Sequence, residues 1–86
     1  MKTKLLIALA LAALPFAANA MPAVGDDVGT NPTDAKAALA KAGCEVKAFE
    51  AENGRIEARC TDAAQKSWEV YINPKTGKVA DVKSGD

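Results

Sequence analysis

The stretch CEVKAFEAENGRIEARC, residues 44–60, holds both cysteines of the chain at its ends and Asn53-Gly54 near its middle. Asn-Gly between alternating runs is a strong signal for a two-residue hairpin, because both central residues of that turn take positive φ. After the turn, Ile56, Ala58 and Cys60 fall on one face and Glu57 and Arg59 on the other. Before it, Phe49 and Ala51 share the apolar face, but Val46 and Cys44 fall on the wrong side. A one-residue bulge near Lys47 or Ala48 reverses the parity upstream of it. Val46 then lies opposite Cys60, with Cys44 its diagonal neighbour and close enough for a bridge.

Downstream, SWEVYIN at 67–73 opposes Trp68, Val70 and Ile72 to Glu69 and Tyr71. In NPKTG at 73–77, Pro74 presets a turn and Gly77 supplies its positive-φ exit. KVADV follows at 78–82 as a short fourth strand. Upstream, PTDAKAALAKAG at 32–43 has helical spacing: Ala35, Ala38, Leu39 and Ala42 on one side, Lys36 and Lys41 away from it. Thr33 is the expected cap, Asp34 favours the positive end, and Gly43 ends the helix. A face made mostly of alanine lies close to a sheet but buries little alone, so the helix depends on its partner. The expected fold class is α+β, one N-terminal helix packed on a three- to four-stranded antiparallel meander sheet.

The opening MKTKLLIALALAALPFAANA has Lys2 and Lys4 before an apolar run from Leu5 to Leu14, broken at Pro15 and followed by Ala18-Asn19-Ala20. This is the pattern of a secretory signal peptide cleaved after Ala20; the run is too short for a membrane span. The expected organisation is a signal peptide at 1–20, a flexible leader at 21–31, the domain at 32–83 and a tail at 84–86. The leader has no apolar period, and Asp26-Asp27 within it reads as a solvated acidic turn, since a calcium loop needs a longer series of spaced oxygen ligands.

Cleavage would leave 66 of the 86 residues and, without Lys2 and Lys4, 9 basic against 11 acidic residues, a net charge of −2. That balance argues against nucleic acid or a membrane as partner. A domain of about 60 residues buries only about 60 % of its unfolded surface, so a covalent staple matters. The expected location, bacterial periplasm or outside the cell, favours disulfides. The spacing is not C-x-x-C and the chain has no histidine, which disfavours a redox couple or a metal site. A Cys44–Cys60 disulfide is the expected state, with an intermolecular bridge or free thiols as the alternatives.

No catalytic constellation emerges. Without histidine and without a Ser-x-x-Lys arrangement, no nucleophile meets a base. Glu50, Glu52, Glu57 and Glu69 are expected to be solvent-exposed and paired across the sheet with Lys47 or Arg59. No cofactor is expected. Phe49 and Trp68 have core parity and read as packing residues. Tyr71 has the parity of the polar face, and with Glu57, Arg59 and Glu69 it forms the candidate partner-contact face.

A helix ending in Gly43, then Val46, the Asn-Gly turn, IEA, and WEVYINPKTGKV at 68–79 together resemble the small secreted PepSY-like domains over about residues 31–83. The resemblance implies a helix on an antiparallel sheet. It further implies a non-enzymatic module that binds or restrains a peptidase through protein or peptide contact. The alternative is a stand-alone structural or stress-related cell-envelope protein with no peptidase target. Cys44 stands where the family commonly has an aromatic residue, and Cys60 where it has a small or apolar one, so the pair looks like an acquired disulfide. The chain lacks the larger companion region and long C-terminal extension of protease propeptides, so filling an active site is not the expected mode.

Overall fold

The structure, a computed structural model, describes residues 21–85; the expected signal peptide, and Asp86 of the expected tail, lie outside the described residues. One helix, α1 (Pro32–Lys41), precedes four strands, β1 (Glu45–Glu52), β2 (Arg55–Thr61), β3 (Ser67–Ile72) and β4 (Val79–Ser84). The sheet is an antiparallel meander in the order β1-β2-β3-β4. The α+β class holds and the fourth strand is a full one. The helix is not N-terminal, because residues 21–31 run before it and pack on the domain.

Asn31, not Thr33, caps α1. Its Oδ1 accepts the Asp34 N–H at 2.9 Å, and its backbone is extended at φ −132°, ψ 157°. The cause is Pro32 at the first helical position: proline excludes the residue before it from the helical region. At the other end Gly43 takes φ +97°. The Cys44 N–H reaches the Leu39 carbonyl at 2.9 Å and the Gly43 N–H reaches Ala40 at 3.0 Å, a Schellman closure. That closure turns Cys44 inward beside Leu39, both fully buried.

The hairpin forms as expected, with Asn53 at φ +50° and Gly54 at φ +78°. The register shifts between Val46 and Ala48, leaving Lys47 as the extra residue, and Val46 pairs with Cys60. Cys44 and Cys60 form a disulfide across a Cα separation of 5.3 Å, and both are buried. It ties the end of α1 to β2 through the core. Leu39, Ala35, Val46, Ala58, Val70, Ile72 and Val79 complete that core, with Phe49, Ile56, Trp68 and Val82 half-buried against it. A second irregularity, between Tyr71 and Ile72 in the β3–β4 pairing, brings Val79 opposite Ile72. Val79 and Val82 lie three residues apart, so both reach the core only with an extra residue between them.

Residues 22–28 have no period yet are tied down. The Gly25 N–H bonds to Val79 O at 2.8 Å, the Val79 N–H to Asp26 O at 2.8 Å and the Val28 N–H to Gly77 O at 2.7 Å. Val28 is buried. Asp26 and Asp27 accept the Ala23 and Gly29 N–H groups, so both carboxylates serve turns. The backbone of this segment covers the start of the β4 edge.

Candidate functional site

On the sheet face away from α1, the pairings Glu57↔Tyr71 and Arg59↔Glu69 place the four residues predicted for a contact face in two adjacent cross-strand rows. Their parity is as expected, but of the four only Arg59 is well exposed. Tyr71 is only 7 % exposed and Glu57 4 %. The Tyr71 hydroxyl donates to Glu69 at 3.0 Å. The Arg55 guanidinium lies 4.3 Å and the Lys83 ammonium 5.4 Å from the centre of the Tyr71 ring. The two charged ends lie over the ring as cation–π partners and cover it. Arg55 and Lys83 were missed, although alternation from Glu57 and Tyr71 places both on this face.

Arg59 reaches Glu50 across the sheet at 3.8 Å, as expected, but also the buried Glu57 of its own strand at 3.3 Å, and Lys47 pairs with Glu45 of its own strand. Glu50 and Glu57 stand directly opposite each other, so Arg59 offsets a like-charge pair. Burial, and next the Glu69 carboxylate, push Glu57 above the ordinary carboxylate range; Arg59 pulls it down, and Glu52 and Glu50 add to the rise. Burial and the bond to Glu69 push Tyr71 up to about 12.

A carboxyl raised in the folded state binds its proton more tightly folded than unfolded. Its contribution therefore favours folding at low pH and is lost as pH rises through the folded value. Glu57→Gln should thus melt higher than the parent at pH 7, with the gap closing towards about pH 4, near the ordinary carboxylate value. Melts across that range check it. A gap that keeps its size at both ends would show that the ionised side chain carries no burial cost.

Trp68 is held by a clamp that the sequence pattern did not reveal. The Asp62 carboxylate accepts the indole N–H and the Ala64 and Lys66 N–H groups, each at 2.9 Å. The indole bond, then the Lys66 N–H, hold Asp62 below its usual range. Trp68 is half-buried against the core, the packing role its parity indicates.

An unpaired stretch of sheet edge lies on β1. Among the described residues, no hydrogen bond reaches the outward side of β1 between Ala48 and Glu52. Beside it is an apolar cavity of about 220 Å³ between the start of α1 and the sheet, lined by Pro32, Ala35, Phe49, Ala51, Ile56 and Ile72 among others. Glu50 also borders it, although its side chain belongs to the other face, so the cavity opens at the strand edge. No sequence signal marks a cavity, because it depends on how far the start of α1 stands off the sheet. Among the described residues no cluster of acidic or thiol side chains could hold a metal ion, and no helix is long and apolar enough to cross a membrane.

The family model described as "Peptidase propeptide and YPEB domain" matches residues 2–83. No curated protein and no solved structure gives a significant match. A helix on an antiparallel meander with its family pattern running through almost the whole chain leaves one assignment: the protein belongs to the PepSY family of peptidase propeptide and YPEB domains.

Proposed function

We propose that the chain is an exported, non-catalytic PepSY module that binds a protein or peptide in the periplasm or outside the cell, a peptidase being the foremost partner. The family match over residues 2–83 carries this reading, since the family is described by the peptidase propeptide. The signal-like N-terminus supports export, and the unpaired β1 edge supports binding through backbone rather than through a reactive group. The polar face is a weaker candidate for the contact, because Tyr71, Glu57, Arg59 and Glu69 already satisfy one another.

The test is capture from a periplasmic extract with the purified protein, followed by assay of any captured peptidase with and without it. A peptidase that binds saturably and changes activity is the expected result. Enrichment of no peptidase would favour a stand-alone envelope protein. Intact mass of protein from the periplasm should give a chain starting at Met21 with no alkylatable thiol; residues 1–20 still attached would overturn cleavage after Ala20, and two alkylatable cysteines without reduction would overturn the bridge.

A further inference from the structure

The proposed binding role, on which the choice of surface rests, leaves open where the partner docks and what chemistry is selected there. The sheet has two edges. Gly25 and Asp26 cover the β4 edge at Val79, and Asp81 takes the Val82 N–H; the β1 edge is bare from Ala48 to Glu52 and is the edge that the apolar cavity adjoins. That bare stretch is short and bounded, by the bulge at Lys47 on one side and the Asn53-Gly54 turn on the other.

The direction of its backbone groups follows from the turn. In a two-residue hairpin the flanking pair, Glu52↔Arg55, exchanges hydrogen bonds, and bonded and non-bonded pairs alternate from there. Ala51↔Ile56 and Phe49↔Ala58 are therefore non-bonded pairs, and the N–H and C=O groups of Ala51 and Phe49 point outward. The side chains of these same two residues line the cavity. A strand added here exchanges hydrogen bonds with Phe49 and Ala51, and its residues opposite them point into the apolar space. An apolar cavity of about 150 Å³ suffices to hold benzene, so about 220 Å³ takes a side chain of leucine or phenylalanine size.

Charge decides between occupants. The intervening residues of an added strand lie beside Glu50 and Glu52, both exposed; Arg59 reaches Glu50 and Arg55 stands opposite Glu52 from the inner strand, but the charged side chains of the edge row itself are glutamates. A second copy pairing antiparallel about Glu50 or Ala51 would set glutamate against glutamate, which like-charge repulsion opposes. We propose that the β1 edge from Ala48 to Glu52, with the cavity beneath Pro32 and Ala35, is a strand-addition site for an extended segment alternating apolar and basic residues. The basic residues face Glu50 and Glu52. The apolar ones fill the cavity.

The probe is a five-residue, end-blocked peptide of sequence lysine-leucine-lysine-leucine-lysine, titrated into the ¹⁵N-labelled protein. Saturable amide shifts at Phe49, Ala51, Ile56 and Ala35 are expected, and the same peptide with aspartate for lysine should not produce them. Ala51→Pro removes an outward N–H while leaving the β1–β2 ladder intact, because proline is tolerated at the free side of an edge strand. It should weaken binding about tenfold or more with an unchanged melting temperature. N-methylation of the peptide leucines should do the same on the parent protein, which keeps the test independent of how the variant folds.

Equal binding of the N-methylated peptide, shifts confined to the Tyr71 face, or no shifts at millimolar peptide would each overturn the proposal. A captured peptidase that binds Ala51→Pro as well as the parent would overturn it too, and leave the peptidase reading standing. Peptide binding at β1 with no peptidase captured would do the reverse.

Discussion

Replacing Cys44 and Cys60 together by serine is expected to lower the melting temperature by well over 10 °C, on the order of several degrees for each kcal/mol lost in a domain this small. The disulfide joins residues 16 apart in sequence. Closing a loop of that size restricts the unfolded chain by about 3 kcal/mol in the chain-entropy model, a large share of the net stability of so small a domain. The location adds to this. Both cysteines are buried, and the bridge is the covalent tie between the end of α1 and the sheet, while the helix itself buries mainly Ala35 and Leu39. Without the bridge, the apolar contacts of α1 are too few to hold it firmly. Melts of the double variant, and of the parent with and without reductant, check this; a change of only a degree or two in both would show that the bridge is energetically idle.

Gly77→Ala is expected to be the most damaging single-residue change we can name, with a loss of about 2–5 kcal/mol and a fall in melting temperature of about 10 °C or more. Two costs combine. Gly77 sits at φ +74°, where an L-residue costs about 1–2 kcal/mol. A Cβ there would stand 2.7 Å from the backbone carbon and oxygen of Gly29, and overpacking of this kind costs about 1–3 kcal/mol. Because the obstacle is backbone, relief requires moving the 25–29 segment, which would break the Val28 N–H bond to the Gly77 carbonyl. Gly54→Ala is the control: its φ is +78° but no atom lies within 4 Å of the added carbon, so it should carry the backbone cost alone. Equal losses in the two variants would show that the approach of Gly29 to Gly77 is unimportant.

Whatever depends on local backbone chemistry or side-chain parity was legible in the amino-acid order alone. Asn53-Gly54 set the hairpin because few other pairs accept two positive φ angles. Alternation from that turn then forced a bulge near Lys47, since no other register puts Val46 and Cys44 on the apolar side. From the bulge followed the pairing of Val46 with Cys60 and the reach of the disulfide. The face of Tyr71 was legible in the same way, but its burial was not, because exposure depends on Arg55 and Lys83 from neighbouring strands folding over the ring. Side-chain preference alone points to Thr33 as the cap, but Pro32 restricts the residue before it and so makes Asn31 the cap. That residues 25–28 lie along β4 emerges only once the chain is folded: a short polar segment held by backbone hydrogen bonds leaves no pattern in its side chains. The same reason hid the cavity beside β1. Its existence rests on the distance between the start of α1 and the sheet, which the sum of contacts sets and no single stretch of sequence encodes.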